Sequence, residues 1–585
     1  MKEFLRYTLL GLLVQGSRGF LAPRSEQQAK YRIPSNKTSI IPHSYIVRLH
    51  DNHTIEDHYA NIGVNISDVA SEFNYLAPLS LYYFQLEAQN STLIHELIRR
   101  DPGIKRVGHD YYGETEIDPI HHHPDGSDYA DPSPHQPVDT PTVAKRWDEM
   151  FFNAQWHLAM IGLWNKIRLK GDTVYPHADF RIPWLEDAGK GVNIYIFDSG
   201  IRLGLSAFGS QEGKMWNLNS LREEDKAPYC DNETMRDTEG HGTKVAVVAA
   251  GYNNGMLSPA WRANLVSVKV KCEPQGGGRL SQILRAVSDV IIEHKKYWAN
   301  PPDGWRGSVI NVSMGFPKHA TDPDFQYAWE AARAAGIPIA AAAGNTGENW
   351  LHAPARFKST YSVGAVDARY QRWEQSHYHR KLNVFAPGVR VPTADHITGR
   401  PTTGDGTSLA SPIVAGVMAM MVGYEGAWNI PDGKNIYARL DANLVPLVKM
   451  DENMTKAGVE PNLINTGFFN PEREFDRHPY AGIPWTEPPE IGPGSFLDKR
   501  QGNPYDKQRG DYWDKDYYDG PQHTVEFAGA QPTIDSPLSE EDLDKGYFDT
   551  EEGQERGGPE WRDVKIRLRS ALAAYPVENI VPEYN

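Results

Sequence analysis

The chain has 585 residues, 40% of them hydrophobic, enough for several domains built around more than one core. Its 76 acidic residues against 60 basic ones leave a formal net charge of -16, which argues against nucleic acid or an anionic membrane surface as the main partner. Two cysteines, Cys230 and Cys272, either form one disulfide or stay as thiols, and alone they say nothing about redox compartment.

Residues 1–16 carry Lys2 and Arg6 ahead of an apolar run from Leu9 to Val14, and Gly16 and Ser17 suit a signal-peptidase site. This pattern, with N-glycosylation sequons at Asn36, Asn52, Asn65, Asn90, Asn232 and Asn453, predicts a secreted glycoprotein. The sequon at Asn311 lies in an apolar strand and is expected to be buried. No later segment has the ~18 continuous apolar residues needed to span a bilayer.

Residues 40–117 read as a small α+β domain. Ser44–Leu49 and Leu79–Leu86 are strand-like, Thr92–Arg99 has apolar residues at helical spacing, and Ile104–Gly108 returns as a strand. Composition shifts to Pro, Asp and His over 118–153, a solvated linker whose His121-His122-His123 run lacks partner ligands. The pair Lys145-Arg146 makes this linker a processing region. Over 154–470, strand-like runs (Val192–Phe197, Asn264–Val270, Val309–Val312, Ile337–Ala342, Tyr361–Val366) alternate with helical ones (Arg279–Tyr297, Asp324–Ala335). That alternation predicts an α/β fold, a doubly wound parallel sheet. Residues 471–585 are rich in Pro, Gly, Asp, Glu and Tyr and read as a largely disordered extension, with one basic amphipathic piece at Arg562–Ala574.

Four short motifs carry chemistry. Asn193–Gly200 is an apolar strand ending in Asp198, at the strand end where open α/β sheets gather ligands. Glu239-Gly240-His241-Gly242-Thr243 opens a small-residue helix over Lys244–Ala250 and aims His241 from its first turn. Ile339–Asn345 is a strand ending in a carboxamide. Gly406-Thr407-Ser408-Leu409-Ala410-Ser411-Pro412 presents Ser408 where a glycine turn hands over to a helix, Pro412–Tyr424. A serine hydroxyl is a weak nucleophile until a base takes its proton, and these motifs supply a base, an orienting acid and an oxyanion donor.

At these residues the chain resembles the subtilisin-like serine proteases, in particular the fungal branch related to proteinase K, from Trp156 to about residue 440. The order Asp, His, Ser is that known for subtilisin itself. The resemblance implies Ser408 as nucleophile, His241 as general base, Asp198 as the group orienting His241, and Asn345 in the oxyanion hole with the Ser408 N–H. It implies a peptide lying as an added strand between Gly277-Gly278 and Ser313-Met314-Gly315, with Ala342-Ala343-Gly344 and Met314 lining S1. The small apolar walls imply an apolar or broad P1 preference. The segment around Pro42–Val47 and Ile104–Val107 resembles the family's inhibitor-type propeptide, which implies a zymogen blocked by its own N-terminal domain. Protein or peptide substrates, a monomer, no cofactor and no metal complete the expectation.

Two residues depart from the family pattern. Lys244, three residues after His241, stands where the family commonly has His or Arg. Val247 replaces a small residue near the nucleophile segment. A catalytically weakened peptide-binding or surface protein is therefore the alternative. The long interval from Asp198 to His241 indicates an insertion around Glu212–Thr234 that contains Cys230.

Overall fold

The computed structural model describes residues 28–34, 39–112, 150–154, 156–162, 180–183, 187–208, 214–230, 233–252, 257–272, 278–315, 322–425 and 434–467. All belong to one of the two compact units into which the chain divides, Met1–Asp476 with Gly558–Asn585. The expected signal segment, the linker up to residue 149 and the extension after 470 lie outside the described residues, as do Asn36, Asn232 and Gly277.

The N-terminal part runs β1 (Lys30–Arg32), β2 (Ile40–Leu49), α1 (Ile55–Ile62), α2 (Ile66–Val69), β3 (Glu72–Leu76), β4 (Leu81–Gln85) and β5 (Ile104–Tyr111). They form a five-stranded sheet in the order β1-β5-β2-β4-β3, an α+β arrangement as expected. Helix α1 begins with a reciprocal capping box between Thr54 and Asp57 and ends at Gly63, whose φ of 69° needs no Cβ penalty. Residues 92–97 differ from the expected α-helix. They form a wider turn in which Ile98 N–H donates to both Leu93 and Ile94, followed by a tight turn over Ile98–Arg100. That winding brings Leu93, Ile94, Leu97 and Ile98 into one cluster with Val47 and Phe84, so burial overrides the local period.

His58 is buried in this part, its Nδ1 2.5 Å from Asp101 Oδ2 and its Nε2 2.8 Å from the Tyr82 hydroxyl. Burial pushes the His58 pKa down. Burial would raise Asp101, but hydrogen bonds from His53, His58, Gly103 and Asn61 outweigh it and hold the carboxyl well below its usual range. Both folded pKa values lie below their unfolded ones, so the unfolded chain takes up protons that the folded one refuses. Stability is lost as pH falls below about 6.5 and falls further through the carboxylate range. Hydrogen exchange of β2 and β4, corrected for intrinsic rate, is expected to speed up between about pH 7.5 and about pH 5.5; unchanged protection would contradict this.

The larger part carries β6 (Met150–Ala154), α3 (Trp156–Gly162), β7 (Phe180–Pro183), β8 (Val192–Asp198), β9 (Met215–Asn217), α4 (His241–Ala250), β10 (Asn264–Lys269), α5 (Leu280–Ala299), β11 (Gly307–Val312) and α6 (Pro323–Ala334). It continues through β12 (Ile339–Ala342), β13 (Tyr361–Val366), β14 (Val384–Pro387), the hairpin β15 (Val391–Ala394) and β16 (Pro401–Gly404), α7 (Thr407–Glu425), α8 (Lys434–Ala442) and α9 (Glu452–Ala457). Seven parallel strands form one sheet, β14-β13-β12-β11-β8-β10-β9. Side chains alternate across it. Ile194 and Ile196 of β8 join α4 and α7 on one face, whereas Tyr195 and Phe197 join α5 and α6 on the other. This is the expected doubly wound α/β sheet. Helix α7 is apolar and long enough to cross a membrane, yet the 18-residue stretch Thr407–Tyr424 is 94% buried inside the protein as its central core helix.

The sheet order reverses around β8, which lies between β10 and β11, so Asp198 stands at a switch point. Cys230 and Cys272 are joined by a disulfide, Sγ–Sγ 2.09 Å, which ties the 212–234 insertion to the chain just beyond β10.

The N-terminal sheet packs on α5 and α6, where Ile46, Leu79, Tyr83 and Tyr111 share a core with Leu280, Leu284 and Phe325. Arg106 holds Asp324 through two bonds of 3.2 and 2.6 Å. Asp110 accepts from Arg279 Nε at 2.5 Å, Ser281 Oγ at 2.6 Å and Ser281 N at 3.0 Å, so it also caps the first turn of α5. Asp110→Ala is expected to cost about 1–3 kcal/mol by removing a buried acceptor shared by Arg279 and Ser281, while Arg279 Nη1 keeps Glu72 at 3.0 Å. Full-chain denaturation that shows no lowered midpoint would refute that estimate.

Candidate active site

Asp198 ends β8 and is buried, its Oδ1 taking hydrogen bonds from His241 Nδ1 at 2.7 Å and from Ser199 N at 2.8 Å. Only a proton on Nδ1 can bond a carboxylate, so in the neutral imidazole Nε2 carries the lone pair. His241 is the first residue of α4, behind Gly240 at φ 92°. A Cβ on Gly242 would lie 2.2 Å from Gly200 O and 2.9 Å from Asp198 Cβ, so only glycine lets the histidine turn close on the aspartate.

Asp237, which the motif reading passed over, anchors that turn. Its two oxygens accept from Gly240 N at 2.8 Å, Thr243 N at 2.9 Å, Thr243 Oγ1 at 2.5 Å and Ser199 Oγ at 3.0 Å. Ser199 Oγ in turn accepts from Gly242 N at 2.9 Å. The available signal was an acidic residue just before the helix N-terminus, where the exposed N–H groups and dipole favour a carboxylate. Lys244 is buried, and burial pushes its ammonium pKa down while Asp395, Asp237 and Glu239 pull the other way. Its carbonyl accepts from Thr393 Oγ1 at 2.8 Å, which fastens α4 to the β15–β16 hairpin.

Ser408 lies in the first turn of α7, which begins at Thr407, earlier than the Pro412 start read from the sequence. Its carbonyl accepts from Ser313 Oγ at 2.8 Å; Ser313 Oγ accepts from Asn311 Nδ2 at 3.0 Å, and Asn311 Oδ1 accepts from Ser411 Oγ at 2.8 Å. This chain links the end of β11 to α7. Asn311 is fully buried, as expected for that sequon. Asn345 Oδ1 accepts from Thr407 N at 2.9 Å and Thr407 Oγ1 at 2.6 Å. Those donors determine which end of the amide is oxygen. A Cβ at Gly406, φ 144°, would lie 2.9 Å from Ser408 Oγ and 3.6 Å from Asn345 Nδ2.

Helices α4 and α7 pack against each other. Ser408 Oγ and His241 Nε2 are both buried and have no hydrogen-bond partner among the described residues, so the hydroxyl and the imidazole are not bonded to each other here. Met314 and Gly315 follow β11, and Ala342, Ala343 and Gly344 close β12; all five are buried. Gly278 stands just ahead of α5, where an added Cβ would lie 2.4 Å from Val270 O. Among the described residues, His53, His58 and Asp101 are grouped closely enough to share a metal ion, but their donor atoms are spent on one another. A second such group, Cys230, Glu233 and Cys272, has its sulfurs in the disulfide.

The fold and the relatives it matches define a serine-type endopeptidase. The chain belongs to the Subtilase family, Peptidase S8, whose profile matches residues 189–436. It is similar to Subtilisin-like protease 2 of Pseudogymnoascus destructans, 31% identical over 69% of this chain and 86% of that protein. Subtilisin-like serine protease Pen ch 18 of Penicillium rubens is 30% identical over 72% of this chain and 79% of its own. Among solved structures, that of a cold adapted subtilisin-like serine proteinase aligns with 54% of this chain and 98% of its own, at 23% identity and a TM-score of 0.41.

Proposed function

We propose that the chain is a secreted endopeptidase made as a zymogen and acting through a Ser408 acyl-enzyme. Ser408 Oγ attacks the scissile carbonyl as its proton passes to His241 Nε2. Asp198 keeps Nδ1 protonated and stabilises the imidazolium. Asn345 Nδ2 and the Ser408 N–H receive the oxyanion, with the first-turn amides of α7 adding positive potential. His241 then protonates the leaving amine, and water, deprotonated by the same imidazole, releases the acid and restores Ser408. The observation that carries this reading is the 2.7 Å Asp198–His241 bond, combined with Asn345 tied through Thr407 to the turn that carries Ser408.

Residues 40–117 act as the inhibitor-type propeptide, 118–153 as the processing linker, and 154–470 as the catalytic domain. Support for inhibition comes from Tyr112, just past β5, which bridges antiparallel to Arg279 beside Gly278. Tyr112 thus pairs with the edge beside Gly278 where a peptide would add as a strand. The basic and apolar N-terminal segment, the sequons and the disulfide support passage through an oxidising secretory compartment. The test is hydrolysis of an unstructured protein by the full chain and its block by a serine-directed phosphonate. Processing and hydrolysis that persist after full phosphonate treatment would overturn the reading.

A further inference from the structure

Two histidines stand behind the segments read as S1 walls. A Cβ at Gly315 would lie 2.6 Å from His352 Cβ and 2.8 Å from its Nδ1; a Cβ at Gly344 would lie 2.5 Å from His377 Nδ1. Each glycine thus lets an imidazole press against the wall. The rings meet edge to face with centroids 4.4 Å apart and planes at 80°. His352 is 3% exposed and His377 is fully buried. The main chain fixes both: His352 N–H donates to Ala343 O at 3.1 Å, and His377 N–H to Gly344 O at 2.9 Å. From the far side, Thr346 Oγ1 lies 2.6 Å from His377 Nε2. His377 Nδ1 is buried with no hydrogen-bond partner among the described residues.

We propose that His352 and His377 form the polar base of the S1 pocket and recognise a P1 side chain ending in a carboxylate, making peptides with glutamate at P1 a substrate class of this enzyme. The inference rests on the reading of 313–315 and 342–344 as S1 walls. An apolar P1 residue leaves a buried imidazole nitrogen unsatisfied, whereas an acceptor reaching the base satisfies it. A carboxylate does more. It raises the proton affinity of the imidazole it meets, so binding draws in one proton and the pair is held as carboxylate and imidazolium.

Without such a partner both rings stay neutral. Burial pushes His352 down to about 4. Burial, joined by the neighbouring His352 imidazole, pushes His377 to about 3, against the pull of the Trp350 carbonyl. Charged groups on the surrounding segments are exposed or already engaged. Glu348 and Glu374 are exposed, the Arg356 guanidinium lies over Trp350 at 4.6 Å, and Arg372 pairs with Asp451 at 2.9 Å. The walls from 313 to 315 and from 342 to 344 contribute no ionisable side chain.

The test uses the full chain and two peptides that differ only in Glu or Phe at P1. The ratio of their kcat/KM values cancels the titration of the groups that cleave both. Uptake of one proton is expected to raise the Glu-to-Phe ratio by up to ~10-fold per pH unit as pH falls from about 7.5 to about 5.5. His377→Phe and His352→Ala are expected to flatten that slope, and His377→Asn, which keeps a donor but cannot take up a proton, to flatten it while retaining some Glu cleavage. Cleavage after Phe with a flat ratio in the unmodified chain, or an undiminished slope in the variants, overturns the histidine base alone. Failure to cleave either peptide, with no phosphonate labelling, overturns the catalytic reading on which it rests.

Discussion

Ser408→Ala is expected to lower kcat by about 10⁶-fold, the size of the loss when the equivalent serine is removed from subtilisin itself. The effect is large because no other group can form the acyl bond. Residual turnover, ~10³–10⁴ over water, comes from binding and the oxyanion donors, which the substitution leaves in place. The variant should stay folded. Ser408 Oγ has no hydrogen-bond partner among the described residues, so truncating it strands nothing, and the backbone bond from Ser313 Oγ to the Ser408 carbonyl survives. An unchanged Tm with lost turnover is the expected pair of results. Turnover within tenfold of the parent would remove Ser408 from the chemistry.

Asp198→Asn is expected to drop kcat by about 10⁴-fold with little change in KM, the loss seen for the same exchange in another serine protease. The carboxylate Oδ1 accepts from both His241 Nδ1 and Ser199 N. A carboxamide can turn its NH2 toward Nδ1, which then must carry the lone pair, and the proton moves to Nε2, where it prevents His241 from acting as base. KM should hold because Asp198, buried at the end of β8, does not reach the peptide-binding edge. A kcat loss below tenfold would show that the Asp198–His241 contact is a packing contact only.

Much of the fold was legible because its signals are local. The runs at 192–197, 264–270, 309–312 and 361–366 are buried strands of one parallel sheet, and β-branched apolar segments between helices carry that signature. The four motifs were legible for a similar reason, since each pairs a reactive side chain with the glycines or small residues its turn requires. Less local features escaped. The β15–β16 hairpin is written in Val391-Pro392-Thr393-Ala394 and Pro401-Thr402-Thr403-Gly404, which lack the apolar alternation of a strand. Residues 92–97 carry helical spacing, yet tertiary burial wound them wider. The pairing of Cys230 with Cys272 depends on β10 lying beside the insertion, a distance no spacing encodes. No motif marks His352 or His377 in the sequence, and only the close approach of Gly315 and Gly344 gives them a place near the site.

The most direct test is to treat the full chain with a serine-directed phosphonate and map the adduct by peptide mass spectrometry. The account predicts a single adduct, on the peptide containing Gly406-Thr407-Ser408, that is absent from Ser408→Ala and strongly slowed in Asp198→Asn. An adduct on a different serine, or equal labelling of the parent and the alanine variant, would contradict it.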